Sequence, residues 1–282
     1  MRWQGRRGSR NIEDRRRAGV GGAGKLGLGG VLVILVAGLV FGVDVTPFLQ
    51  DTGVGQAPTR TTEITEADQR AGQFVSVTLA DTEEVWADIF AKDIGRPYTP
   101  PVLVLFKGVT QSPCGGASGA TGPFYCPTDR KAYLDTDFFT TLERRMGAGG
   151  DFAAAYVVAH EVAHHVQNEL GILGEANRVR RQVSETEANA ISVRVELQAD
   201  CLSGVWARHA DTRFGSLERG DLAEAMNAAE RIGDDALLEA AGRPVRPHTF
   251  THGTSEQRQR WFARGFDSGD IRECDTFNAD RL

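Results

Sequence analysis

The segment HEVAHHVQNE, His160 to Glu169, places three of the chain's six histidines within six residues. It follows AAAYVVA, a lead-in as apolar as a buried helix, where ionisable side chains cost free energy unless they find partners. A helix turns about 100° per residue, so His160 and His164 lie one turn apart on one face, with Glu161 beside them. Two imidazoles at that spacing reach a single ion. The carboxylate between them contacts a water on that ion without ligating it. This is the H-E-x-x-H pattern of zinc peptidases. His165 falls about 100° round from His164 and is expected to pack or hydrogen-bond, not to ligate.

A catalytic zinc normally has three protein ligands and one open position. His164 is followed by HVQNEL, so no further histidine stands at the H-x-x-G-x-x-H spacing, and a downstream carboxylate must complete the set. Glu169, Glu175, Glu185, Glu187 and Glu196 are the candidates. Glu196 stands out because VELQADCLSG puts Asp200 one turn later on the same face. A ligand and a carboxylate supporting another ligand can both face the site from that geometry. Asn189 and Ile191 occupy the same offset from Glu185 and Glu187. The plain alternative for Glu196 and Asp200 is a solvated pair, which fits poorly beside Ala199, Cys201, Leu202 and Val205.

The elements that must carry these residues are mostly helical. Asp151 to Leu170 forms the helix of the H-E-x-x-H segment, and VSETEANAISVRVELQADCLSGVWARHA predicts a long helix ending near His209. SLERGDLAEAMNAAERIG and TSEQRQRWFARGF predict two more. DTEEVWADIFAK, with Asp81 as N-cap, and DTDFFTTLERRMG predict helices before the central one. PVLVLFKG reads as a strand, and FYCPTDRKAYLD offers one or two others. The expected fold class is α+β: a mostly helical domain with a small sheet before its central helix.

The hydrophobic fraction of 41% and charged fraction of 25% belong to a globular chain. The net charge of −6 is uneven. Residues 1–25 hold seven Arg and one Lys against Glu13 and Asp14, which is +6 and leaves −12 for the remainder. So acidic a domain is a poor partner for nucleic acid. The stretch LGLGGVLVILVAGLVFGV, Leu26 to Val43, carries no charge and is long enough for one bilayer crossing. DVTPF follows it with no A-x-A site, so an uncleaved anchor is expected, not a signal peptide. The Arg-rich flank predicts a cytoplasmic N-terminus and an exported domain. The expected organisation is a basic cytoplasmic N-terminus over 1–25, a transmembrane helix over 26–43, a linker over 44–66 and one domain over 67–282.

Four cysteines in an exported chain read as disulfides. Cys114 and Cys126 flank a Gly-rich loop that a bridge would staple, leaving Cys201 and Cys274. Sequence alone allows three connectivities.

The ordered pieces of the chain resemble a known family. HEVAHHVQ followed by ELQADCLSGVWA is similar to the gluzincin type of metallopeptidase. MRWQGRR with NIEDRR, CGGASGATGPFYCPTDRKAYLD, the HEVAHHVQ helix, ELQADC, and THGTSEQRQRWFARGF with ECDTF together resemble the neutral zinc metallopeptidases of bacteria, which are membrane-anchored. The resemblance implies Zn2+, a zincin-like fold and a peptide or protein substrate, in a single-pass protein of the bacterial cytoplasmic membrane. Zinc on His160, His164 and Glu196 would activate a water, and Glu161 would act as base and then acid. Asp200 would hold a ligating histidine, His160 by analogy with gluzincins. His252, in FTHGTSEQR, stands where similar enzymes place an oxyanion-stabilising group, although a helix-capping loop histidine would look the same. By the same analogy the KAYLD strand would be the edge that aligns an extended peptide. Two other functions fit the motif. One is a membrane-tethered scaffold with a structural zinc closed by a fourth ligand such as Cys201; the other is hydrolysis of a non-peptide substrate.

Overall fold

A computed structural model describes residues 1–17, 64–118 and 122–282. Its elements run in chain order as β1 (Ile12–Asp14), α1 (Glu66–Ile89), β2 (Val102–Phe106), β3 (Val109–Ser112), β4 (Gly115–Ser118), β5 (Phe124–Cys126) and β6 (Lys131–Asp135). Then come α2 (Asp137–Arg144), α3 (Asp151–Glu169), α4 (Ile172–Arg180), α5 (Glu185–Phe214), α6 (Asp221–Arg231), α7 (Asp234–Ala240) and α8 (Ser255–Ser268). The mostly helical α+β architecture is the expected one. The stretch expected to span a membrane, 26–43, lies outside the described residues. Among those described, no helix is long and apolar enough to cross one.

Capping chemistry explains where the main helices begin. Thr65 with Asp68, Ser184 with Glu187, and Thr254 with Gln257 each form a reciprocal capping box. The first of these corrects the expected start of α1. Asp81 is no N-cap but a buried residue in the middle of the helix, where Arg6 binds it through both terminal guanidinium nitrogens at 2.6 and 2.8 Å.

The four-stranded sheet has the order β1-β2-β6-β5, with β1, β2 and β6 parallel and β5 antiparallel to β6. Both faces are covered. Leu103, Leu105, Ala132 and Leu134 join the main core, while Val104, Phe106, Tyr133 and Cys126 form a second, smaller cluster. KAYLD is therefore not an edge strand: β6 is flanked on both sides, and β5 is the outer strand next to it.

Residues 1–17 require a larger correction. They are not a separate basic tail but part of the folded domain. β1 pairs with β2, and Trp3 is buried edge-on against Phe74 with its indole nitrogen donating to Asp151 at 2.9 Å.

The central α3 is buried almost all round, from Phe152 to Val166. It packs against α5, which α8 crosses at very close range. A Cβ placed on Gly204 would stand 2.1 Å from the Phe262 carbonyl oxygen, and one on Gly265 would stand 1.9 Å from that of Cys201. Only two glycines permit backbones this near. Disulfides join Cys114 to Cys126 and Cys201 to Cys274. The second spans a sequence separation of 73 and ties the C-terminal segment to α5. A closure of that length contributes roughly 4 kcal/mol in the chain-entropy account.

Candidate metal centre

The one-turn spacing on α3 sets His160 and His164 side by side, and α5 lays Glu196 across them. One ligand atom from each lies within 4.8 Å of the others. Glu196 Oε2 is 3.1 Å from His160 Nε2, and its Oε1 is 3.5 Å from His164 Nε2. Of the competing carboxylates, Glu169 pairs with Arg130, Glu175 pairs with Arg178, Glu187 caps α5, and Glu185 is exposed in the first turn of α5.

Each imidazole is oriented through its other nitrogen. His160 Nδ1 donates to Asp200 Oδ1 at 2.9 Å, and His164 Nδ1 donates to Gln167 Oε1 at 2.9 Å. Gln167 is fixed in turn, donating to the Val195 carbonyl at 2.8 Å and to Gln198 Oε1 at 3.0 Å. Both histidines therefore present Nε2 to one point, the arrangement that metal-ligating histidines adopt.

Asp200 is wholly buried and anchors a network. Tyr156 Oη donates to its Oδ1 at 2.5 Å, and Arg258 on α8 grips both oxygens at 2.8 and 2.9 Å. Burial resists ionisation of Asp200, but Arg258 and His160 outweigh it and hold the carboxyl below its usual range. Glu196 follows the same logic: burial opposes its charge, and His164 and His160 hold it well below the ordinary value. Burial likewise opposes protonation of His160, yet Asp200 and Glu196 push its pKa up to about 10 in the metal-free site.

Glu161 behaves differently. It is buried, its Oε2 has no hydrogen-bond partner, and burial outweighs the two histidines to raise its pKa. A buried carboxylate oxygen without a partner is costly unless a ligand or water meets it. This is the group expected to face a water without touching the ion. The donor set of two imidazoles and one carboxylate suits zinc with an open position. No thiol closes it, since Cys201 is bound to Cys274.

His165 packs instead of ligating. It is fully buried, with Nε2 donating to the Thr99 carbonyl at 2.7 Å and Nδ1 accepting from Tyr125 Oη at 3.0 Å. His252 sits in the loop before α8. Asp234 Oδ2 accepts from the backbone N–H groups of Thr251, His252 and Gly253 at 2.8, 2.7 and 3.0 Å. Asp234 Oδ1 lies 3.2 Å from His252 Nδ1. Burial acts against the charged form of His252, but Asp234 and Glu196 outweigh it and raise its pKa. The loop rests on the ligand helix through Gly253. That residue has φ of +95°, and a Cβ there would meet Leu197 at 3.2 Å.

Tyr156, Gln167, Asp234 and Arg258 were not anticipated. Tyr156 and Gln167 had a signal, because each lies about one turn from a ligand on the same helix. Asp234 and Arg258 had none.

A family model described as "Putative neutral zinc metallopeptidase" matches residues 1–277. "Uncharacterized protein YpfJ" of Escherichia coli strain K12 is 47% identical over 287 residues, covering 98% of this chain and 99% of that protein. "Uncharacterized protein Rv2575" of Mycobacterium tuberculosis is 43% identical over 223 residues, covering 74% of this chain and 73% of that protein. No solved structure matches.

Proposed function

The chain belongs to the neutral zinc metallopeptidase family, and from that premise we propose that it hydrolyses peptide bonds with Glu161 as the proton-transfer group. The observation that carries this reading is the partnerless Glu161 Oε2 beside a converged His160, His164 and Glu196. Zinc on those three residues would supply Lewis acidity toward a scissile carbonyl and lower the pKa of a water toward about 7. Glu161 accepts a proton at Oε2 as water attacks and returns it to the leaving nitrogen. Asp200 and Gln167 hold Nδ1 of the two imidazoles protonated, so that Nε2 is the free lone pair. His252, held at Nδ1 by Asp234, has Nε2 left to donate to the developing oxyanion. An extended peptide would align along β5, the outer strand, by main-chain pairing.

The two disulfides support an oxidising, extracytoplasmic compartment for the domain. The apolar composition of residues 26–43 supports attachment to the bacterial cytoplasmic membrane. A structural zinc in a scaffold protein is the less favoured reading, since the only neighbouring thiol is occupied by a disulfide.

The test is Glu161→Gln, which keeps the shape and removes the proton acceptor. The variant should retain zinc and thermal stability while hydrolysing peptides about 10²- to 10⁴-fold more slowly. Undiminished hydrolysis would sink the mechanism. Zinc-replete wild-type protein that cleaves nothing in a broad peptide library would favour the scaffold.

A further inference from the structure

Residues 1–17 and the chain from residue 64 onward form one folded body. The backbone of Asn11 to Arg15 runs along β2, with Leu103 N donating to the Asn11 carbonyl at 2.8 Å and Arg15 N to the Leu105 carbonyl at 2.7 Å. Ser9 N donates to the Ser76 carbonyl of α1 at 2.9 Å. Trp3 fills a core position between α1 and α3. The last contact is the most telling: the buried Arg16 donates to the Asp68 carbonyl in the first turn of α1. Arg16 precedes the apolar stretch and Asp68 follows it, yet one side chain spans the distance between them.

That contact is incompatible with a single crossing. The apolar stretch has 18 residues, about 27 Å as a helix, which suffices to cross a bilayer once and not to return. One crossing would leave Arg16 and Asp68 on opposite faces, separated by a hydrocarbon layer of about 30 Å. Four of the eight cations that argued for a cytoplasmic N-terminus are also held in ion pairs. Arg6 is held by Asp81, Arg7 by Glu84, Arg15 by Glu13 and Arg16 by Asp14. The positive-inside rule weighs cationic residues in segments flanking the membrane, not ones folded into a domain.

We propose that residues 1–17 and residues 64–282 occupy the same, extracytoplasmic face of the membrane. The shared face rests on packing remote from the metal centre and the choice of the outer face on the two disulfides, so the proposal is independent of the peptidase reading.

The experiment uses the full chain in bacterial membranes. A Cβ on Gly8 would lie 3.5 Å from the Ser76 Cβ, within the range of about 3.5–4.5 Å that a disulfide requires. Gly8→Cys with Ser76→Cys, plus a protease site inserted within 44–63, is oxidised with the permeant reagent diamide and then cleaved. The two fragments should stay joined on a non-reducing gel and separate on reduction, and neither single-cysteine variant should join them. Separated fragments in protein whose Cys201–Cys274 bridge has formed would overturn the proposal. In a second arm, Gln4→Cys at an exposed position should react with an impermeant maleimide in intact spheroplasts. Labelling only after lysis would overturn the assignment to the outer face.

Discussion

The Oδ1 atom of Asp200 lies 2.9 Å from Nδ1 of His160, and the same carboxylate is clamped by Arg258 from a different helix. One buried anion thus sets the tautomer of a candidate metal ligand and the position of α8. Asp200→Asn should weaken zinc binding by about 10- to 100-fold, measured by competition with a chelator. Asp200→Ala should also lower stability by about 3–5 kcal/mol, because Arg258 is left buried without a counter-charge. Unchanged zinc affinity in both variants would show that the contact does not orient His160.

The choice of third ligand is tested by two glutamates on one helix. Glu196→Ala should lose most of the bound zinc. Glu187→Ala should keep it and lose little stability, since only the N3 half of a capping box is removed. Zinc content by atomic emission distinguishes them, and the reverse pattern would reassign the ligand.

Metal binding must compete with protons. Burial works against a charged His160, but Asp200 and Glu196 raise its pKa to about 10, and Glu196 raises His164 in the same direction. His160 therefore holds a proton at pH 7 that binding displaces. Apparent zinc affinity should climb by about one log unit per pH unit above about pH 6.5, levelling as pH passes about 10. Calorimetry in buffers of different ionisation enthalpy measures the released protons. Metal-free stability runs the other way. The contribution of His160 is present in full below its unfolded pKa of about 6.5 and is lost as pH rises through about 10. Affinity that is flat between pH 6.5 and 9 contradicts the assignment.

His252 distinguishes a catalytic role from a loop-building one. Its side chain is 48% exposed, so His252→Ala should leave the melting temperature nearly unchanged. The turnover number should fall by about 10²- to 10³-fold with KM little affected, as for loss of an oxyanion donor. A loss confined to stability would make His252 part of the loop scaffold only.

What could be read in advance was local. His160, Glu161 and His164 share a turn, and Glu196 and Asp200 share another, so helical period alone brought each set together. β1 left no such trace. Its three residues, IED, are largely polar and lie within an Arg-rich run, and only their pairing with β2 makes them a strand. Asp81 misled because an aspartate before a helical pattern looks like a cap. Here it is the buried partner of an arginine 75 residues earlier. Arg258 and Asp234 were invisible for the same reason: their roles arise from the packing of remote elements, and nothing in their neighbourhood repeats.

The close crossing of α5 and α8 has an effect on how damage to this protein would present. At Gly204 and Gly265 even a methyl group meets main-chain oxygen, which cannot step aside as a flexible side chain can. The helices would have to part, carrying Arg258 away from Asp200 and loosening the grip on His160. A screen for inactive variants should therefore return these two glycines among its hits. Their kinetic phenotype would mimic that of a ligand mutation, although neither residue carries a chemical group of its own.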